Sequence, residues 1–140
     1  MQVLVDTSVW SLALRRAPSA AAQADTKAAQ AVAMLQDLVT DSRATMIGAI
    51  RQELLSGIKS ASQFQTLSDA LSGFEDIPLS KLDYELAAQF FNTCRSKGIQ
   101  GSNTDFLICA VASSRKLPIL TTDQDFAMYK LHLPISLVVL

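Results

Sequence analysis

Gln2-Val3-Leu4-Val5-Asp6-Thr7-Ser8-Val9-Trp10-Ser11-Leu12-Ala13 changes its period halfway along. Val3 to Val5 form a short apolar run of strand type, broken at Asp6-Thr7-Ser8, after which Val9, Trp10, Leu12 and Ala13 return at helical spacing. The order is strand, turn, helix. It recurs at Ala44-Thr45-Met46-Ile47, a candidate buried strand followed by Ile50 to Leu55 and a stop at Gly57. Pro118-Ile119-Leu120-Thr121 is a further strand, ending at Thr122-Asp123-Gln124-Asp125-Phe126.

Between these units the spacing predicts further helices. Ala20 to Leu38 is Ala-rich, with Val32, Leu35 and Leu38 three apart, and Phe64, Leu67, Leu71 and Phe74 form a second stripe. Leu82, Leu86, Ala87, Phe90 and Phe91 mark a longer helix ending near Gly98. After the polar link Gln100-Gly101-Ser102-Asn103-Thr104, the segment Asp105 to Ala112 is apolar all the way round, so a helix there has to be buried. Ile77-Pro78-Leu79 reads as an edge strand, since proline cannot donate to a central ladder, and Ile135 to Leu140 as a last apolar strand. Strands alternating with helices predict a three-layer α/β/α sandwich on a mostly parallel sheet, because crossover helices cover both faces.

A chain of 140 residues, 49% hydrophobic, suits one domain spanning 1–140. No run of residues reaches the ~18 to 20 apolar positions a membrane span needs, and no basic segment with a cleavage site precedes the first strand, so a soluble, unprocessed protein is expected. Cys94 and Cys109 lie in helix-like segments without Cys-x-x-Cys spacing; they read as core thiols compatible with a reducing cytoplasm. A net charge of −1 speaks against a broad basic surface for gripping nucleic acid. That objection weakens if several of the 13 acids converge on a cation, which reverses the local sign.

Four acids fall where such a convergence is expected. In open parallel sheets the crevice lies at the carboxyl ends of strands, which is where Asp6 and Asp123 stand. Glu53 borders the face of its helix carrying Ile50 and Leu54, and Asp105 heads the most apolar helix of the chain. Each alone has an ordinary explanation: Asp6 and Asp123 as N-caps, Ser102 to Asp105 as a capping box, Glu53 as a surface residue. Together they raise an electrostatic problem. Two carboxylates ~5 Å apart repel by roughly 3 kcal/mol at an effective dielectric near 20, so protons or a cation must be present. Oxygen-only ligands suit Mg²⁺ or Mn²⁺; zinc ordinarily recruits His or Cys, and the single histidine, His132, lies near no acid motif. One histidine also cannot serve as both acid and base in a reaction through the RNA 2′-hydroxyl. A carboxylate-held ion that activates water on a phosphodiester remains, leaving 5′-phosphate and 3′-hydroxyl ends.

Val5-Asp6-Thr7-Ser8-Val9-Trp10, Ile50-Arg51-Gln52-Glu53-Leu54, Asp105-Phe106-Leu107-Ile108-Cys109-Ala110 and Leu120-Thr121-Thr122-Asp123-Gln124-Asp125-Phe126, in this order, resemble the PIN-domain family, and within it the VapC-type toxin ribonucleases. The resemblance implies Mg²⁺ or Mn²⁺ dependence, endonucleolytic cleavage of RNA, and a homodimer inhibited by a small antitoxin. It implies Asp6 and Asp105 as main metal ligands, Glu53 and Asp123 completing the pocket, Asp125 sharing the role of Asp123, and Thr7, Ser8 and Thr122 hydrogen-bonding the acids. The Ala-rich stretch from Ala20 to Ala33 departs from the family pattern. Among the candidate phosphate contacts, Arg15-Arg16, Arg51, Arg95-Lys97 and Arg115-Lys116, Arg51 stands out because it shares a turn with Glu53. Trp10, between Val9 and Leu12, reads as a packing residue before a base-stacking one. Two alternatives stay open: a catalytically idle PIN-like module that binds RNA or a partner protein, and a phosphotransfer domain with Asp6 as nucleophile. The second ordinarily needs another acid beside or two residues after the first, and here Thr7 and Ser8 follow.

Overall fold

The computed structural model describes residues 1–14 and 26–140. Three short parallel strands lie at its centre. β1 (Val3–Val5) is flanked by β2 (Ala44–Thr45) and β3 (Ile119–Leu120), in the order β2-β1-β3. Val3 pairs with Ala44 and Leu4 with Thr45 on one side; Leu4 pairs with Ile119 and Val5 with Leu120 on the other. All three residues of β1 are buried, as a strand covered on both faces demands.

Around the sheet run α1 (Thr7–Leu14), α2 (Thr26–Thr40), α3 (Gly48–Leu55), α4 (Ala61–Leu71), α5 (Lys81–Ser96), α6 (Asn103–Arg115) and α7 (Asp125–Lys130). The α/β/α reading of the sequence holds. The part of the Ala-rich helix before Thr26, and Arg15-Arg16, lie outside the described residues. Helix α6 carries seven consecutive buried residues, Phe106 to Ala112, and α5 is its chief helical neighbour. Cys94 and Cys109 are both buried and free, in keeping with core thiols. Trp10 packs edge-on against Phe74 with ring centroids 4.9 Å apart and donates its indole N–H to the Val5 carbonyl at 3.1 Å, which makes it a core residue. Among the described residues no helix is long and apolar enough to cross a membrane.

Two expected strands shrink to single bridges. Next to Pro78 only Asp76 pairs, with Met46, and beyond Pro134 only Leu137 pairs, with Ile119. Both bridges are parallel and extend the sheet at its two edges. A second difference concerns α5. Leu82, expected on the buried stripe, is 72% exposed, whereas Asp83 is buried and shares its face with Ala87, Phe90 and Cys94. The reason is a long-range partner. Both Asp83 carboxylate oxygens take the Arg115 guanidinium, at 2.8 and 3.2 Å, and Oδ2 also accepts the Ser80 peptide N–H at 2.8 Å in a capping box. Arg115 further donates to the Pro78 carbonyl at 3.0 Å. The start of α5 is thereby tied to the end of α6.

The Arg115 bonds, with the Ser80 peptide, hold the Asp83 carboxyl down to about 2, against an ordinary 3.8. Asp83 therefore contributes stability that is fully present above pH 3.8 and is lost as pH falls through about 2. Arg115→Met strands a buried carboxylate and is expected to cost about 2 to 3 kcal/mol at neutral pH. Urea unfolding at pH 7, 4 and 2 should show the gap between parent and variant closing only below pH 4.

Candidate active site

The carboxyl end of β1 feeds directly into Asp6. Its peptide N–H continues the ladder to the Leu120 carbonyl at 2.9 Å, and its own carbonyl accepts from Val9 and Trp10 as α1 begins. Backbone bonding on both sides fixes where the side chain starts. Asp6 is 4% exposed, and its Oδ2 accepts two hydroxyls, Ser8 Oγ and Thr121 Oγ1, each at 2.8 Å. Those hydroxyls accept in turn: Ser8 Oγ from the Thr122 peptide at 3.1 Å, and Thr121 Oγ1 from the Asp123 peptide at 3.0 Å. The turn after β1 and the turn after β3 are thus stitched together by two side-chain oxygens. Asp123 Oδ1 accepts the Asp125 peptide N–H at 2.9 Å, a turn one residue before the helix N-cap, which is Gln124 and not Asp123.

Asp105 stands in the first turn of α6, with the Ser102 hydroxyl capping its peptide N–H at 3.0 Å. Its Oδ2 accepts the phenol of Tyr129 on α7 at 2.8 Å. Glu53 on α3 is exposed and joins the group through Thr7, whose hydroxyl donates to Oε1 at 2.6 Å.

Burial pushes the Asp6 carboxyl up from its ordinary value; the Thr121 and Ser8 hydroxyls and the Ser8 and Thr7 peptides pull it back. Asp105 is also pushed up, first by burial and then by the charges of Asp6 and Asp123, against the lowering effect of the Tyr129 bond. Asp105 therefore feels the charges of Asp6 and Asp123, and Glu53 stands exposed beside Thr7. Tyr129 is raised by burial and by its bond to Asp105, which keeps the phenol a donor. Burial and the nearby Asp105 and Asp6 charges raise the Cys109 thiol, which stays protonated.

The predicted supporting residues divide. Ser8 reaches Asp6 and Thr7 reaches Glu53, but it is the Thr121 hydroxyl that bonds an acid, while Thr122 contributes its peptide. Alternation along an extended segment puts positions 121 and 123 on one side, a signal available in the sequence. Asp125 is exposed and holds Asp123 through its backbone. Arg51 is engaged within the fold: it grips Asp76, with Nη2 at 2.9 Å from Oδ1, and donates to the Leu71 and Phe74 carbonyls. Arg115 is held by Asp83, and Arg95 lies over the Phe91 ring. His132 is exposed. Tyr129 went unpredicted, although a tyrosine three residues after Phe126 on a short helix has to find a partner for its buried hydroxyl.

All the donors brought together are carboxylate and hydroxyl oxygens, a set for a hard cation. Among the described residues no three His, Cys, Asp or Glu side chains close into a ready-made cage. An ion such as Mg²⁺, which keeps several waters and takes one or two carboxylates directly, does not require one.

The sequence model of the PIN domain matches residues 3–130. No curated protein sequence matches the chain. Among solved structures the fold is similar to FitAcB from Neisseria gonorrhoeae, at 19% identity and a TM-score of 0.72 over 99% of this chain and 97% of that one. It is similar to VapBC2 from Rickettsia felis bound to a DNA fragment from its promoter, at 19% identity and 0.70 over 99% and 98%. It is also similar to VapBC-5 from Mycobacterium tuberculosis, a member of a family of toxin-antitoxin systems, at 18% identity and 0.66 over 99% and 98%.

If Asp105 carries an uncompensated charge, removing it should strengthen the fold. Its raised carboxyl gives stability that is present below the ordinary 3.8 and lost as pH rises through the higher folded value. Asp105→Asn is expected to melt at a higher temperature than the parent at pH 7 in chelator, and to lose that advantage near pH 3. A variant less stable than the parent at pH 7 would contradict this electrostatic account.

Proposed function

This chain belongs to the PIN domain family, and from that premise we propose that it is a divalent-metal-dependent endoribonuclease, the toxin of a toxin–antitoxin pair. The observation that carries the proposal is the placement of Asp6 and Asp123 where adjacent parallel strands end, with Asp105 at the head of α6 close enough to feel both charges, while Arg51 and Arg115 are engaged elsewhere by Asp76 and Asp83. Mg²⁺ or Mn²⁺ bound there supplies a water of lowered pKa and charge stabilisation worth several kcal/mol at a phosphodiester.

The chain's own residues prepare that site. Asp6 and Asp105 are the principal ligands, Asp123 adds negative charge, and Glu53 acts from the rim through water. Ser8 and Thr121 fix Asp6 by its Oδ2, Thr7 fixes Glu53 by Oε1, and the Asp125 peptide fixes Asp123 by Oδ1. Thr122 supports the arrangement through the Ser8 hydroxyl. Groups held in this way need not reorganise when the substrate arrives. The antitoxin partner is inferred from the kind of system to which VapBC-5 belongs; a homodimer and a cytoplasmic setting complete the reading.

The test is an RNA panel incubated with purified protein in Mg²⁺, Mn²⁺ or chelator, beside Asp6→Asn and Asp105→Asn. Cleavage is expected only with the metal, leaving 5′-phosphate ends, and each substitution should reduce the rate by about 100-fold or more, the scale of several kcal/mol. Cleavage unaffected by chelator, or an Asp6→Asn protein as active as the parent, would refute it. A parent that binds RNA and metal without cutting would identify an idle binding module.

A further inference from the structure

Tyr129 has a buried ring with one polar task. It is 0% exposed and is wedged between Phe126, at a centroid distance of 5.2 Å, and Phe106, at 5.0 Å. The hydroxyl donates to Asp105 Oδ2 at 2.8 Å. The terminal torsion of an aspartate is soft and broadly distributed, so an unheld carboxylate samples many planes. A donor fixed on Oδ2 sets that plane and with it the direction of Oδ1.

Gly101 belongs to the same arrangement. Gly57 and Gly98 have positive φ, which gives them a conformational reason to be glycine; Gly101 does not. Its reason is space. A Cβ at position 101 would collide with the Tyr129 hydroxyl and stand 2.9 Å from both Tyr129 Cζ and Phe106 Cε2. The link that delivers Asp105 to the head of α6 passes close enough to the phenol that only a bare backbone fits.

We propose that Tyr129 is a positioning residue of the acidic centre, orienting Asp105 so that Oδ1 is presented to the cation, and that Gly101 is the vacancy that lets the phenol reach it. The proposal rests on the metal-dependent reading of the site given above. Tyr129→Phe keeps the aromatic packing and deletes only the donor. Gly101→Ala keeps the donor and displaces it.

Mn²⁺ is titrated calorimetrically into the metal-free parent, Tyr129→Phe, Gly101→Ala and the double variant, and RNA cleavage and melting temperature are measured on each. Tyr129→Phe is expected to raise the Mn²⁺ Kd by about 10-fold, the usual scale for groups that orient a ligand. It should lower kcat while leaving KM for RNA within about twofold, and melt within about 4 °C of the parent. Gly101→Ala should weaken Mn²⁺ binding similarly, and the double variant should be no worse than about the weaker single one, because both act through one bond. A Tyr129→Phe protein that binds Mn²⁺ like a binding-competent parent would overturn the role of Tyr129 and leave the site standing. A loss of affinity matched by a large fall in melting temperature would overturn it in favour of packing. A parent that neither binds Mn²⁺ nor cuts RNA would remove the site reading itself.

Discussion

Burying a carboxylate without a counter-charge is costly, and Asp6, 4% exposed with its pKa driven upward, is the point around which this structure is arranged. The position follows from topology. Asp6 ends the central strand of a parallel sheet, Asp123 follows the neighbouring strand, and the most buried helix begins beside Asp105. Parallel strands put equivalent turns at the same end of the sheet, so acids far apart in sequence are gathered without any of them moving from its local element. The hydroxyls of Ser8 and Thr121 partly offset the burial, and they also fasten the two turns to each other.

The treatment of charge elsewhere in the molecule is different. Asp83 receives both arms of Arg115 and drops to about 2, and Asp76 receives Arg51. Each of these acids has a guanidinium that also ties down neighbouring carbonyls, at Pro78 in one case and at Leu71 and Phe74 in the other. Asp6, Asp105 and Asp123 are given hydroxyls, a phenol and peptide N–H groups instead. Hydroxyl and peptide donors orient a carboxylate without neutralising it. That contrast separates acids neutralised by a guanidinium from acids that are not, and under the proposed function the second group is what lets a chain of net charge −1 act on a phosphodiester.

Much of this was legible in the sequence because it is local. The change of period at Asp6, its repetition near Ala44, the apolar strand after Pro118 and the uniformly apolar stretch after Asp105 each report on an element and its end. What escaped depends on contacts far along the chain. Leu82, expected on the buried stripe, is exposed and Asp83 is buried because the aspartate's partner, Arg115, lies 32 residues beyond it. Arg51 is paired with Asp76, 25 residues away. The fit of Gly101 against Tyr129 joins a loop to a later helix, and no local pattern encodes that distance. The edge segments at Ile77 and Ile135 carry strand-like composition, yet prolines at 78 and 134 limit each to one bridge.

The central claim is that one doubly charged ion resolves the repulsion among these acids, and anomalous diffraction from crystals soaked in Mn²⁺ tests it most directly. The account predicts a strong peak between Asp6 and Asp105, bonded directly to an oxygen of each, with Asp123 and Glu53 within reach of its waters. Mn²⁺ bound only elsewhere on the surface, with the carboxylates of Asp6 and Asp105 turned away from each other, would contradict it.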